Sequence, residues 1–378
     1  MTGTTLASVS AVRSGVQPRR VALVEFFGIG GTADYTDCLA RALATRGIRV
    51  AVVTSSLFSP ILPNPPYEIV RVFTYGPGQL KPWKALQLAR ALRPARAFLQ
   101  SFNPDVIHAQ GTVLPVVERF LYRGLRVPLV CTVHDARAHE RRPWLGSFTA
   151  FYREFPWLIC HSDSTRRQVQ RAIPRARIAV VPHGAYSALV TPLPTTSDAR
   201  HRLELPASSR IALFFGFIRP YKGLELFLDG LRIARRQGHD MVGLVAGRPL
   251  YNVSGSVERA RRTGVPVSWH LRFIPREEIA TFFAAADVVV LPYLDTSDSG
   301  AFELAAAFGK PVVVSDAGGL SEAFSRYGYG SVVPPRNAPE LARALLGPYR
   351  PARLDDGRNT WSTVAASTEA VYREVLGG

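Results

Sequence analysis

Two cations three residues apart, Arg219 and Lys222, lie among glycines in Phe215-Gly216-Phe217-Ile218-Arg219-Pro220-Tyr221-Lys222-Gly223, directly after an apolar run. Lys222 is one of only four lysines among 46 basic residues. A planar guanidinium fork beside a point-charge ammonium suits a diphosphate; a solvated turn is the competing reading. A second loop, Gly28-Ile29-Gly30-Gly31-Thr32, precedes a helical pattern and would present backbone N–H groups to an anion. Its spacing misses the GxGxxG fingerprint, so a plain tight turn competes here too. In a third segment the polar loop Asp295-Thr296-Ser297-Asp298 runs through Ser299, Gly300 and Ala301 into an apolar helix. The helix start offers N–H groups to phosphate. Glu303, the one charge on that helix, is either a hydrogen-bond partner for a ribose diol or a simple complement to the helix dipole. His108, His134 and His183 each follow a strand end, and His134 stands with Asp135 and Arg137 in a polar cluster. No HExxH motif or clustered Cys/His pattern is present, so no metal is expected. GxSxG elbows and Walker A loops are absent as well.

Short β-branched runs alternate with amphipathic stretches and supply the frame for these residues. Strands are predicted at Val21–Val24, Arg49–Thr54, Val106–His108, Leu129–Val133, Leu158–His161 and Ile178–Val181, with a helix over Asp37–Thr45 closed by Gly47. After a Pro/Ser/Thr-rich stretch the alternation restarts. Strands Ile211–Phe215, Val242–Ala246, Val288–Leu291 and Pro311–Ser315 follow, with helices over Leu224–Arg235 and Ala301–Phe308. The expected class is α/β, with two doubly wound Rossmann-like domains facing a cleft. The division reads as a loose tail over 1–19, a first domain over 20–190 and a linker over 191–206. A second domain follows over 207–357, and a closing amphipathic helix over 358–378.

The 378 residues allow two cores, and 47% hydrophobic residues exclude a disordered chain. No apolar run is long enough to cross a bilayer. Three scattered cysteines exclude a disulfide framework and fit a reducing, cytoplasmic setting. The formal charge of +17 is almost all arginine, as a GC-rich coding sequence would produce, or it marks an anionic partner. Basic residues are spread along the chain with no recognisable binding module, which disfavours nucleic acid. Lys84–Arg96 is a basic amphipathic stretch interrupted by Pro94, either a solvated helix or a face for an anionic membrane at the inner leaflet.

The ordered set of pieces resembles the GT-B glycosyltransferases, most of all the retaining nucleotide-sugar-dependent enzymes of glycosyltransferase family 4. The pieces are the Gly28–Thr32 loop, Asp105–His108, Thr132–Asp135, Val181–Gly184 and the Arg219/Lys222 pair. Ala286–Pro292, Gly309–Asp316, Gly318–Glu322 and the Trp361 helix complete the set. The resemblance implies a donor diphosphate held by Arg219 and Lys222, and His134 beside the transferred sugar. It places Gly30, Gly31, Ser299, Gly300, Ala301 and Glu303 around the donor, with His108, Asp135 and His183 near sugar or acceptor. It also implies metal-independent transfer from a nucleotide-diphosphate sugar to a glycan, lipid-linked or small-molecule hydroxyl. The chain departs from the family at its pair of glutamates eight apart. Ungapped counting puts Thr296 and Leu304 there, and a one-residue slip puts Asp295 and Glu303. Ser299-Gly300 is expected of a variant subgroup. A weakened homologue acting as a binding partner, and an epimerase or hydrolase on the same fold, are the alternatives.

Overall fold

The computed structural model describes residues 16–74, 82–134, 148–186, 193–295, 299–349 and 360–377. Its first sheet is formed by β1 (Arg20–Val24), β2 (Arg49–Ser55), β3 (Glu68–Phe73), β4 (Val106–Gln110), β5 (Leu129–Thr132), β6 (Trp157–Cys160) and β7 (Arg177–Val180). Every pairing is parallel, in the order β3-β2-β1-β4-β5-β6-β7. Its helices are α1 (Gly31–Thr45), α2 (Pro82–Phe102), α3 (Pro115–Tyr122), α4 (Phe148–Tyr152) and α5 (Asp163–Ala172). The second half opens with α6 (Thr196–Arg202), β8 (Arg210–Phe215), α7 (Leu224–Arg236), β9 (Met241–Ala246), α8 (Ser254–Arg262) and β10 (Val267–His270). It continues through α9 (Arg276–Ala285), β11 (Val288–Leu291), α10 (Gly300–Ala307), β12 (Val312–Ser315), α11 (Leu320–Tyr327), β13 (Gly330–Val333) and α12 (Ala338–Leu346). This sheet too is parallel, ordered β10-β9-β8-β11-β12-β13. The last helix, α13 (Trp361–Gly377), packs on α1 and buries Val364, Ala365, Val371 and Tyr372 in the core of the first sheet.

The central strands are apolar on both faces because helices cover both sides, as a parallel sheet requires. Both sheets reverse their winding beside the first strand of the domain, between β1 and β4 and between β8 and β11. At such reversals the flanking loops diverge and leave a crevice beyond the strand C-termini. The Gly28–Gly31 loop follows β1, and the Gly216–Lys222 turn follows β8, so the two most promising loops emerge at the two crevices.

Three expectations need correction. The first helix begins at Gly31 and not Asp37; Ala33, Tyr35 and Thr36 are buried, and their packing extends the helix by almost two turns. Helix α2 is not broken at Pro94 but runs through it from Pro82 to Phe102. Leu88, Ala91, Ala95, Leu99 and Phe102 recur at helical spacing on the buried face, while Pro94 is exposed. Burying that stripe outweighs the missing N–H bond. The Pro/Ser/Thr-rich stretch over 191–206 contains α6, whose Thr195 hydroxyl accepts the Asp198 N–H at 3.1 Å. Thr195, read as linker composition, is a helix-start signal. Arg200 on α6 pairs with Asp287 at 2.7 Å and donates to the carbonyl of Ala285, which ties this helix to the second sheet.

Candidate active site

A cavity of about 970 Å³ lies between the two sheets, lined by the Gly28–Gly31 loop and Asp34 on one side and by Gly216, Phe217 and Lys222 on the other. The domains are in close approach there. A methyl group placed on Gly30 would stand 3.3 Å from the Phe217 ring, and one on Gly300 would stand 3.8 Å from the Gly31 Cα. The start of α10 therefore faces the start of α1. Each helix start aims first-turn N–H groups that have no intrahelical i−4 acceptor toward this gap. Ser299 caps α10, its hydroxyl accepting the Phe302 N–H at 3.3 Å and lying 3.2 Å from the Tyr293 hydroxyl.

The glycine loop is held from beneath by a buried carboxylate. Glu25 accepts the N–H groups of Phe27 at 2.8 Å and Gly28 at 2.7 Å, and the Thr54 hydroxyl at 2.9 Å. Burial pushes its pKa up to about 7 against the lowering effect of those three donors. Gly28 has φ +76°, and a side chain there would meet the Ser55 Cβ at 2.8 Å and the Phe58 backbone nitrogen at 2.9 Å. Glycine is what this turn admits.

Of the two cations, Lys222 lines the cavity, with its Nζ 5.3 Å from the centroid of the Tyr293 ring. Arg219 is half-buried at the flank of the Pro220–Lys222 turn and is not among the lining residues. On α10, Gly300, Ala301 and Leu304 line the cavity and Glu303 does not. Adjacent helix positions differ by ~100° in direction. Of the two registers, the ungapped one puts a side chain, Leu304, into the cavity; Thr296 lies outside the described residues, as do Asp135 and Arg137.

The histidines gather elsewhere, around Tyr35 of α1. The rings of His134, His161 and His183 lie 5.0, 4.9 and 5.1 Å from the Tyr35 ring, and that of Trp361 lies at 5.2 Å. Burial holds His161 at about 4 and His183 at about 3, and lowers His134 well below the usual range, so all three are neutral near pH 7. His134 Nε2 is 3.4 Å from the Gln110 Oε1. His183 Nε2 is 3.2 Å from the Tyr186 hydroxyl, which donates at 3.1 Å to the carbonyl of Gly31 and so reaches the cavity loop. His108 has both ring nitrogens engaged at 2.7 Å, with the hydroxyls of Tyr372 and Thr132, and takes no part in lining the cavity.

Sequence reasoning missed Tyr35, His161 and Tyr186. His161 carries the signal used for the other three histidines, a position at a strand end, and could have been found by it. Tyr35 and Tyr186 carried no such mark. Among the described residues, no group of three or more His, Cys, Asp or Glu is placed to hold a metal ion.

Residues 29–186 match the family model described as Glycosyltransferase Family 4, and residues 209–349 match that of Glycosyl transferases group 1. A D-inositol 3-phosphate glycosyltransferase of Thermobispora bispora is 28% identical over 92% of this chain and 90% of its own. A phosphatidyl-myo-inositol mannosyltransferase of Mycolicibacterium smegmatis is 25% identical, covering 92% and 91%. Among solved structures, Anabaena Alr3699/HepE in complex with UDP-glucose superposes with a TM-score of 0.67 at 21% identity, over 94% of this chain and 95% of that one. With two parallel doubly wound sheets and a cleft at both winding reversals, the chain belongs to glycosyltransferase family 4, the retaining GT-B enzymes that take sugar from nucleotide-sugar donors.

Proposed function

We propose that this cleft binds a nucleotide-diphosphate sugar with its diphosphate between Lys222, the start of α10 and the Gly30-Gly31 loop, and transfers the sugar to an acceptor hydroxyl presented from the first domain. The observation that carries the reading is the approach of Gly300 to Gly31, with Lys222 lining the same cavity. In retaining transfer the acceptor oxygen attacks the anomeric carbon on the face the diphosphate leaves. Its proton passes toward the departing phosphate oxygen. Charge that builds on the diphosphate is met by the Lys222 ammonium, by the helix N–H groups and by Arg219 on the flank of the same turn. This is preorganised electrostatics in a site from which water is displaced. His134 and His183, both neutral, belong to the Tyr35 cluster, which meets the Gly31 carbonyl through the Tyr186 hydroxyl bonded to His183; from there they would steady the loop that faces sugar and acceptor. Leu304 in place of a carboxylate offers the ribose diol no acceptor, so donor affinity rests on the phosphate contacts.

UDP-glucose is the first donor to try, since it occupies the structurally similar Anabaena protein. The names of the relatives add inositol phosphate and phosphatidylinositol to the acceptor panel. A phospholipid acceptor would bring the chain to the inner membrane face; no described helix is long and apolar enough to cross a bilayer. The exposed Arg90 and Arg93 of α2 supply a basic face for anionic lipid. Donor consumption and the anomer formed, followed by NMR, test the enzyme reading. Lys222→Met is expected to lower kcat by about 10²–10³-fold, the scale for removing one oxyanion-stabilising group. Equal turnover by wild type and variant would reject the assignment of Lys222. Unchanged liposome co-sedimentation of an Arg90→Gln/Arg93→Gln variant would reject the membrane contact.

A further inference from the structure

Two polar clasps join the domains beside the cleft. In one, Glu322 on α11 reaches the N-terminus of α5 in the other domain. Its Oε2 accepts the Asp163 N–H and its Oε1 accepts the Ser164 N–H, both at 2.7 Å, and Arg167 Nη2 donates to Oε1 at 3.3 Å. The helix's own cap, Ser162, accepts the Thr165 N–H, one position further on. The first two N–H groups of α5 are thus satisfied by a carboxylate from the opposite domain, a charge that the positive end of the helix favours. In the other clasp Arg276, the first residue of α9, donates from Nε to Asp34 Oδ1 at 3.0 Å, with Nη2 on the same oxygen. Its Nη1 donates to the Ser59 carbonyl at 2.5 Å. Asp34 and Arg276 both line the cavity, and their side chains are only 14% and 22% exposed.

The clasps are well separated. Helix α1 follows β1 and α5 follows β6, three strand positions along the first sheet, or ~14 Å at ~4.8 Å per strand. On the second sheet α9 follows β10 and α11 follows β12, four positions apart. One contact would leave the domains free to pivot about it; two contacts this far apart fix both the opening and the twist. The hinge side is held separately, where the Trp361 indole donates to the Ala185 carbonyl at 2.7 Å.

We infer that Glu322 and Arg276 are positioning residues, each one half of an interdomain clasp, and that together they hold the closed arrangement in which the loop after β1 faces the start of α10. Their kinetic effect rests on the glycosyltransferase reading; their effect on shape does not. Small-angle scattering and UDP-glucose kinetics therefore test the two separately. Glu322→Gln, Arg276→Gln and the pair combined are expected to enlarge the radius of gyration of the free chain. They should raise the KM for UDP-glucose by about tenfold, a usual size for a conformational coupling. Saturating donor should restore the compact form, and in Glu322→Gln, whose side chain lies outside the cavity lining, kcat should stay close to wild type. Arg167→Gln, with a side chain 56% exposed, leaves the cores untouched and should shift both readouts in the same direction by a smaller amount. Wild-type scattering and KM in Glu322→Gln and Arg167→Gln would overturn the inference, whatever the folding of the Arg276 variant. Wild type that turns over no donor would overturn the enzyme reading, while the scattering series still decides the clasps.

Discussion

At the residue scale, the cavity loop depends on one group beneath it, Glu25, and one within it, Gly28. Glu25 gathers two backbone N–H groups and a hydroxyl under the turn, and Gly28 supplies a backbone conformation that a side chain would strain. Gly28→Ala places a methyl group against backbone as well as side chain, so relief requires the loop to move. It is expected to cost about 1–3 kcal/mol, the range for overpacking, and to weaken donor binding. Thermal melting with and without UDP reads both effects, and a variant with wild-type melting and a wild-type UDP shift would contradict the prediction. Gly28 was legible in the sequence as a turn before a helix; Glu25 was not. A single glutamate at a strand end has no periodicity or spacing to mark it, and only the folded chain shows which donors surround it.

At the scale of elements, composition misled where side chains have two local roles. Pro94 reads as a helix breaker, and Ser/Thr-rich sequence reads as linker. The structure has an unbroken α2 and, in the linker, a capped α6. In both places tertiary burial chose between locally similar options: Ala91 and Ala95 beneath α2, Ala199 and Arg200 beneath α6. Pro94 faces solvent, so replacing it restores a helical hydrogen bond without disturbing the buried stripe. Pro94→Ala is expected to raise stability by about 1–3 kcal/mol, with an unchanged far-UV CD spectrum. A lower melting temperature would mean that the proline shapes the helix in a way the packing needs.

For the whole molecule, buried titrating groups set the response to acid. His108, His161 and His183 have pKa values lowered by burial to about 3, 4 and 3, and His134 is lowered too. A histidine held neutral contributes stability that is present above 6.5 and is lost as pH falls through the folded value. Glu25 and Glu118, both raised to about 7, act in the opposite sense, their contribution fading as pH rises from 4.5 through 7. Five histidines with lowered values, His270 included, outnumber three carboxyls with raised ones, Asp34 included, so unfolding takes up protons between pH 6.5 and 4.5. The melting temperature at pH 5.5 is expected below that at pH 7, and an equal or higher value at pH 5.5 would refute the balance.

The sequence by itself determined the α/β class, the alternation of strands and helices, and the order of glycine, histidine and basic motifs that carries the family. These are local patterns, read within windows of a few turns or one loop. Tertiary structure alone decided which side of α10 meets the cavity, bringing in Leu304 and leaving Glu303 out. It alone brought Tyr35 among three histidines, and joined Glu322 to Asp163 across 159 residues and Arg276 to Asp34 across 242. The physical reason is range. Periodicity and capping act between near neighbours along the chain, whereas a buried ion pair or an aromatic cluster forms only where packing brings distant residues together.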